Sequence, residues 1–464
     1  MDIGEAREKV FEKRPVFRAM YEKYENQKWD AYMRESYTPP SDNSPLSPSL
    51  LLSVSEIVKA TLGEKEVAEV LESLKKTKRV DTADHHGILC HPFFWNVDAA
   101  KAKPEEEVPY DIIFSVGNVS PTNSSFPRSI FFHDQNLSLK KLNYIPWRSR
   151  RSALYSLPPS LGENIAQMKR EVADTPLNQI AKKKLADFLS ALEKDSRIQN
   201  AERLSDELTI ATSVLWDNVF DGARKKICYI EAEEVVRRII LSPLGAPKTK
   251  KIIFEENYRT LFEKHFEGKI GAWSTKEQKG TFLFWYAGKS EGRVPLSLKD
   301  NFLENAKANI KIEITPEKLL PLIENRSLIP SMALCYSLLS FEEGLTLTGG
   351  FSQIQYLGDM KDAWLQIFPE DKERLSKIRT DIFSGEMSFV GITNGKETKN
   401  ATLLDMLIYS KEEKRASKVF QDALEGTSIG EALNAMMYEF LEMTLGKYEE
   451  LTGIKELKTK LDVR

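Results

Sequence analysis

Histidine and cysteine are scarce in this sequence. The 464 residues include five histidines and three cysteines, and Cys90, Cys228 and Cys335 lie far apart without a CxxC pair. This spacing excludes a cysteine-based zinc site and a disulfide framework, and it is typical of a protein from a reducing compartment.

Long apolar runs and a strong net charge are also missing. No stretch approaches the roughly 18 apolar residues of a membrane-spanning helix. The first residues, MDIGEAREKVFEKRP, carry charges where a secretion signal needs an apolar segment. The formal net charge of −3 argues against a dedicated nucleic-acid binder. We therefore expect a cytoplasmic protein that binds a small molecule, with neither a membrane nor a nucleic acid as its partner.

The common fingerprints of nucleotide-binding proteins and hydrolases are missing as well. Gly288-Lys289-Ser290 ends like a Walker A loop, but Leu283 occupies the position of its first glycine. Gly350-Phe351-Ser352 lacks the last glycine of a nucleophile elbow. No GxGxxG follows a strand-like segment.

The distribution of apolar residues predicts an α/β protein. Short apolar runs alternate with helical patterns, and residues 161–220 carry apolar side chains at helical spacing with charges between them. We expect a Rossmann-like core with a helical insertion and a mostly helical C-terminal region. The predicted parts are an N-terminal helical region with a Pro/Ser linker at 38–49 (1–76), the first part of the core (77–160), the insertion (161–224), the second part of the core (225–370) and the C-terminal region (371–464).

Four of the five histidines fall between residues 79 and 134. They are His85, His86, His91 and His133. The pattern around the first three predicts a strand, a loop and the start of a helix, whose N-terminus favours anions. Imidazoles at such a turn can stabilise developing charge or move protons, so we predict His85, His86 and His91 as catalytic residues. Alternatively, Asp84, His85 and His86 form a polar turn and His91 caps the helix.

A metal site is the second functional interpretation of this stretch. Histidine nitrogens and carboxylate oxygens suit zinc, iron or manganese. The side chains that would supply these ligands are Asp84, His85, His86, His91, His133 and Asp134. No HExxH or His-x-His spacing is present. The protein would then be a metal-dependent hydrolase or oxygenase.

A loop rich in hydrogen-bonding side chains follows the histidines. Its polar residues suit a carboxylate, sugar or phosphate, although a surface turn has a similar composition. From this loop we predict as substrate-binding residues Asn118, Asn123, Ser124, Ser125 and Arg128, together with Asp84 and His133. The following segment 144–155 places arginines beside Trp147 and Tyr155. It is either a phosphate clamp, a charged surface loop or, in a non-enzymatic interaction protein, a docking site for a partner.

A glycine pair at 349–350 stands between a short strand-like run and a helical pattern. Such a turn offers backbone N–H groups to an anion, or it is a tight turn before a core helix. Gln353 and Tyr356 would project near it. We therefore add Gly349, Gly350, Gln353 and Tyr356 to the predicted substrate-binding residues.

Two segments, 84–95 and 328–364, resemble the cysteine-adding enzyme of bacillithiol biosynthesis. The first resembles that family's early glycine-rich turn through the order of its glycine and proline, as in DHHGILCHPFFW. The second follows the family pattern GG-x-x-E-I-x-Y-x-x-x-L-K, with matches at Gly349, Gly350, Ile354, Tyr356 and Lys361, whereas Gln353 stands where the family has glutamate. The resemblance implies a ligase-like or nucleotidyltransferase-like core that acts on a small polar metabolite.

We therefore expect an enzyme that acts on a small anionic or nucleotide-like metabolite in a ligase- or transferase-like reaction. The sequence leaves the cofactor open between a nucleotide and, under the alternative interpretation, a metal ion.

Overall fold

The structure is a computed structural model that describes residues 1–37, 44–103, 108–123, 125–288, 292–411, 415–447, 451–452 and 456–464. Residues 38–43 of the predicted linker and Ser124 of the predicted binding loop lie outside these ranges. The predicted linker extends too far, because Pro48 already begins a helix. Ser47 caps that helix, since its hydroxyl oxygen accepts the N–H of Leu50 at 3.1 Å.

Helices make up most of the regular structure. They are α1 (Ile3–Lys13), α2 (Pro15–Tyr24), α3 (Trp29–Ser36), α4 (Pro48–Thr61), α5 (Val67–Thr77), α6 (Pro92–Lys101), α7 (Leu161–Asp174), α8 (Gln179–Lys194), α9 (Ser196–Gln199), α10 (Leu204–Phe220), α11 (Ala232–Leu241), α12 (Pro247–Phe254), α13 (Glu256–Phe266), α14 (Pro316–Glu324), α15 (Met332–Tyr336), α16 (Gln353–Ile367), α17 (Lys372–Ser376), α18 (Leu403–Tyr409), α19 (Ala416–Gly426), α20 (Ile429–Asn434) and α21 (Met437–Leu445).

The strands are short. They are β1 (Arg79–Asp81), β2 (Tyr110–Ser115), β3 (Ser129–His133), β4 (Leu139–Asn143), β5 (Lys226–Glu231), β6 (Phe284–Gly288), β7 (Gly292–Pro295), β8 (Ser297–Lys299), β9 (Phe302–Asn305), β10 (Ile310–Glu313), β11 (Leu328–Pro330), β12 (Thr346–Thr348), β13 (Gly391–Thr393), β14 (Thr398–Asn400) and β15 (Lys460–Asp462).

Four parallel strands form the central sheet, in the order β12–β1–β2–β5. Asp81 at the end of β1 lies between Thr348 of β12 and Ile113 of β2. Strands β2 and β5 pair along their whole length, from Tyr110 opposite Lys226 to Ser115 opposite Glu231. The expected α/β class is therefore confirmed as a mixed α/β fold around a parallel sheet.

Both faces of the central sheet are buried, which explains why its strands are almost continuously apolar. Because successive side chains of a strand point to opposite faces, Ile113 and Tyr229 enter one hydrophobic core, whereas Ile112 and Ile230 enter the other. The first core is completed by α1–α3, α7–α10 and α18–α21. The second is completed by α4, α5 and α11–α16.

The helical pattern at 161–220 is confirmed, since α7–α10 occupy it. Strands β6 and β7 form an antiparallel hairpin. Pro316 begins α14. The C-terminal region is less purely helical than predicted, because β13, β14 and β15 form a small sheet. None of the helices in the described ranges combines the length and apolar character needed to cross a membrane.

Candidate functional site

A cleft opens where the parallel strands of the central sheet end. Its volume is about 460 Å³, and it borders the residues that follow β1, β2 and β12. Open α/β sheets bind ligands in the crevice at the carboxyl ends of their strands, where the strand order reverses. That reversal occurs here beside β1, because β2 and β5 follow on one side of it and β12 pairs with the other. This position makes the cleft the candidate functional site.

Backbone hydrogen bonds hold the cleft-forming loops side by side. The loop after β1 continues to pair with the chain beyond β2, since the N–H of His86 donates to the carbonyl of Val116 at 2.9 Å. A segment from the C-terminal region runs beside the end of β12, where the N–H of Gly349 donates to the carbonyl of Ile382 at 3.0 Å. Loops far apart in the chain therefore meet at one edge of the sheet.

Several residues predicted from the sequence line this cleft. They are His85, Asn118, Ser125, Gly350, Gln353 and Tyr356. The loop that carries the histidines and the helix that follows the glycine pair therefore border one cavity. Gly349 lies directly before that wall, at the end of β12. The cleft wall does not include the other described residues of the prediction, which are Asp84, His86, His91, Asn123, Arg128 and His133.

His85 is half-buried in the cleft wall. Its Nδ1 lies 2.9 Å from the hydroxyl oxygen of Ser125, and its ring meets the ring of Phe94 edge-on at 5.8 Å. Burial lowers the pKa of His85 to about 4. Its imidazole is therefore neutral at physiological pH and offers a polar, uncharged group to a ligand.

His86 is a buried structural residue. Its Nδ1 lies 2.6 Å from the hydroxyl oxygen of Ser115, and its Nε2 donates to the carbonyl of Ser205 at 2.9 Å. Its ring stacks on Tyr229, 5.5 Å between ring centres. Both nitrogens are used inside the protein, so the structure places His86 away from a substrate in the cleft.

His91 and His133 have separate environments. His91 caps α6, where its Nδ1 accepts the N–H of Phe93 at 3.2 Å, as the structural interpretation expects. The Nδ1 of His133 lies 2.7 Å from the carboxylate of Asp405. Within the described ranges, no three histidine, cysteine or acidic side chains are grouped to hold a metal ion. His91 and His133 therefore contact different partners, and the structure does not bring the predicted ligands of the metal site together in the described ranges.

Arg128 and Asn123 serve the loop itself. Arg128 donates to the carbonyl of Ile145 at 3.2 Å, and its guanidinium lies 5.1 Å from the ring centre of Trp147. The side-chain oxygen of Asn123 accepts the N–H of Ser125 at 3.2 Å and closes a turn. Arg293 is the arginine that the cleft wall contains.

A polar network ties the loop after β1 to helix α16. The side-chain nitrogen of Gln353 donates to the hydroxyl of Thr82 at 2.6 Å. The hydroxyl of Tyr336 lies 3.2 Å from both the Gln353 side-chain oxygen and the Thr82 carbonyl oxygen. All three residues line the cleft, and their hydrogen bonds make this part of its wall polar. Sequence reasoning missed Tyr336, which lies inside an apolar helical run.

Glu386 is the acidic residue on the described cleft wall. Its carboxylate accepts the N–H of Phe351 at 2.9 Å, and its own N–H donates to the carbonyl of Phe93 at 2.6 Å. Burial raises the pKa of Glu386 to about 7, and the negative charge of Asp81 acts in the same direction. A carboxyl group in a cleft with such a pKa is typical of catalytic sites.

Sequence reasoning also missed Glu386, although a signal was present. It is the only acidic residue in the otherwise uncharged run IFSGEMSFVGI at 382–392. An apolar segment of this kind is usually buried, and a single acid within it is then buried too. Burial raises the pKa of such a carboxyl group. The segment was instead assigned only to the C-terminal region.

A buried charge cluster lies behind the cleft loops. The ammonium of Lys101, only 1% exposed, pairs with Asp81, with Asp98 at 2.9 Å and with Asp111 at 3.6 Å. The carboxyl group of Asp84 is fully buried beside Asp98. Burial and the negative charges of Asp98 and Asp81 raise the pKa of Asp84 well above its usual value, which favours its neutral form. Asp84 thus belongs to the interior, not to the cleft wall.

The same cluster joins two cleft loops. One carboxylate oxygen of Asp81 accepts the N–H of Ala83 at 2.8 Å, and the other accepts the hydroxyl of Ser384. Lys101 donates to the same hydroxyl oxygen at 3.2 Å. The loop of His85 and the segment of Glu386 are therefore fixed to a common ionic centre.

No protein-family model matches this chain, and no curated protein matches it.

Proposed function

We propose that the protein is an enzyme that carries out a ligase- or transferase-like reaction on a small anionic or nucleotide-like metabolite in the cleft. The observation that carries this proposal is the carboxyl group of Glu386 on the cleft wall, with a pKa of about 7. Such a group is partly protonated and partly ionised at neutral pH, so it can accept a proton in one step and return it in another.

Glu386 would activate the attacking group of the substrate. One of its carboxyl oxygens accepts the N–H of Phe351, which leaves the second oxygen for a substrate proton. Removing a proton from a hydroxyl, amine or thiol group makes that group nucleophilic, and both ligases and transferases need a nucleophile. The bond that fixes the carboxyl group also fixes the direction of this proton transfer.

The other cleft residues suit a flat, polar metabolite. Neutral His85 and the network of Gln353 and Tyr336 provide hydrogen-bonding groups. Phe93 and Trp285 provide aromatic walls on the same cavity. Cavities of this type bind small molecules through apolar walls and a few fixed polar groups. A nucleotide is the cofactor that this combination suits.

The arrangement of the sheet supports a Rossmann-like core as part of this proposal. Parallel strands, helices on both faces and a crevice at the carboxyl ends of the strands are features of that fold. The resemblance of 328–364 to the bacillithiol cysteine-adding family supports the reaction class. Two residues that carry it, Gly350 and Tyr356, border the cleft together with Gln353.

The proposal can be tested with a metabolite extract. The purified protein is incubated with the extract, with and without ATP, and substrates and products are followed by mass spectrometry. We expect one metabolite to be consumed and a conjugate to form, with ATP conversion in the same samples. Glu386→Gln should abolish this change, because the amide cannot accept the proton.

Glu439→Gln is the matched control. Glu439 is also a glutamate whose pKa burial raises, to about 8, but it is not part of the cleft wall. The control should retain the wild-type activity. Equal activity in wild type and Glu386→Gln, or no turnover in wild type, would contradict the proposal.

A further inference from the structure

Arg293 on strand β7 brings a positive charge into the cleft. Among the residues that the structure describes, it is the only lysine or arginine on the cleft wall. Its guanidinium lies 4.3 Å from the ring centre of Trp285, which also lines the cleft. Sequence reasoning placed the anion-binding arginine at Arg128 instead, because the loop 118–128 is locally rich in polar residues.

In the described ranges no salt bridge pairs Arg293 with an acid, although the carboxyl group of Glu233 lies near enough to act on its charge. One of its nitrogens donates to the carbonyl of Asn118. A guanidinium has five N–H donors, so this contact leaves most of them for a ligand. Arg293 is half-buried, so its guanidinium has lost part of its hydration, and burial lowers its pKa. A partly dehydrated cation is stabilised by an anion placed next to it.

The surroundings hold Arg293 in place. The carboxylate of Glu233 accepts the N–H groups of Gly117 at 2.7 Å and Asn118 at 3.0 Å. These bonds fix the Asn118 carbonyl that Arg293 contacts. The side-chain nitrogen of Asn118 is itself buried without a hydrogen-bond partner. Two groups of donors, one cationic and one neutral, therefore lie side by side at the same end of the cleft.

We propose that Arg293 and Asn118 form the anion subsite of the cleft and bind a carboxylate or phosphate group of the substrate. This assignment rests on the proposed function only in taking the cleft as the substrate site. The planar guanidinium presents paired N–H groups that match two oxygens of either anion. Trp285 supports the guanidinium from its face and keeps it oriented.

The subsite defines the substrate class. Arg293 lies on the hairpin strand β7, whereas Glu386 lies beside the glycine pair after β12. The substrate therefore has an anionic group at one end and, separately from it, the group that exchanges a proton with Glu386. A neutral metabolite would offer no anionic group to pair with the Arg293 guanidinium.

Calorimetric titration with inorganic phosphate, pyrophosphate and malonate tests the subsite in the wild type and three variants. Wild type should bind at least one of these anions. Arg293→Gln should weaken that binding about tenfold or more, because a charge-assisted pair is lost. Arg293→Lys should retain part of the affinity, since it keeps the charge but not the paired geometry. Arg128→Gln is the matched control and should bind like wild type.

The outcomes separate the anion sources and the two proposals. Preference for phosphate or pyrophosphate identifies a phosphorylated substrate, and preference for malonate identifies a carboxylate. No binding to wild type, or equal binding to wild type and a folded Arg293→Gln or Arg293→Lys, would overturn the subsite. If the wild type binds an anion but shows no Glu386-dependent turnover, the proposed function is wrong and the anion subsite stands. If it shows Glu386-dependent turnover but binds none of the anions, the subsite is wrong and the proposed function stands.

Discussion

The backbone of Gly350 approaches the carboxyl group of Glu386 so closely that a Cβ atom on Gly350 would lie 2.9 Å from both carboxyl oxygens. That distance is shorter than a carbon atom tolerates, so any other residue at 350 displaces the carboxyl group or the loop that carries it. The second glycine of the pair thus makes room for the reactive group of the cleft.

Gly350→Ala should therefore disturb Glu386 and the protein around it. We expect a loss of about 1–3 kcal/mol in the free energy of unfolding, the usual effect of overpacking a buried site. Urea unfolding at pH 7 measures it. Gly358→Ala is the control, because its Cβ would meet only the Thr380 hydroxyl at 3.5 Å inside helix α16. That variant should gain about 0.5–1 kcal/mol from its higher helix propensity. The same change in both variants would show that residue 350 does not need glycine.

Glu386 should make stability decrease with pH in a defined window. Its pKa is raised from 4.5 to about 7, so between these values the native protein keeps a proton that the unfolded chain has lost. The stabilisation that the proton of Glu386 gives the native protein is fully present below pH 4.5. As the pH rises from there to about 7, the free energy of unfolding falls by about 1.4 kcal/mol per pH unit. Glu386→Gln should thus gain up to ~3 kcal/mol relative to wild type between pH 4 and pH 8.

Chemical denaturation at several pH values measures this difference. The exposed Glu12→Gln serves as the control and should follow the wild-type profile throughout. A constant difference between Glu386→Gln and wild type at every pH would mean that the carboxyl group ionises normally in the native protein.

Lys101 should be essential for stability. Lys101→Met leaves the buried carboxylates around it without a cation, and removing one partner of a buried ion pair costs about 3–5 kcal/mol. Lys103→Met is the matched control two residues beyond the same helix, because Lys103, 17% exposed, pairs at 2.5 Å with Asp30, whose side chain is 51% exposed and therefore open to solvent. An exposed pair contributes about 1 kcal/mol or less. Thermal or urea unfolding of both variants measures the free energy of unfolding. Similar losses of stability in the two variants would refute the assigned role of Lys101.

The sequence locates part of the cleft because some of its residues lie in loops with local signals. Short apolar runs followed by polar or glycine-rich turns mark His85, Asn118 and Gly350, and the ends of parallel strands lie at one edge of a sheet. Two of these runs, 111–114 and 346–348, are strands of the central sheet. The mixed α/β fold is predictable because the alternation of strand and helix patterns is also a local signal in the sequence.

The remaining residues could not be predicted because long-range packing brings them to the cleft. Arg293 arrives on a separate hairpin, and Glu386 arrives on a segment that pairs with the chain after β12. The clustering of the few histidines predicts a catalytic site. Composition does not distinguish a histidine that hydrogen-bonds inside the protein from one that contacts a substrate. His86 and His133 both bind other protein groups in the interior.

The packing of α1 and α2 against α21 has a consequence for biosynthesis. Phe17 meets Phe440 at 4.8 Å between ring centres, and the Met1 carbonyl accepts the N–H of Thr452 at 2.9 Å. The ribosome synthesises Phe17 long before Phe440. The aromatic side chains of α1 and α2 therefore lack their packing partners in the nascent chain until α21 is made. Met443 of α21 also borders the cleft. The aromatic side chains of the N-terminal helices therefore stay exposed in the nascent chain until α21 has been synthesised, which favours association with other unfolded chains.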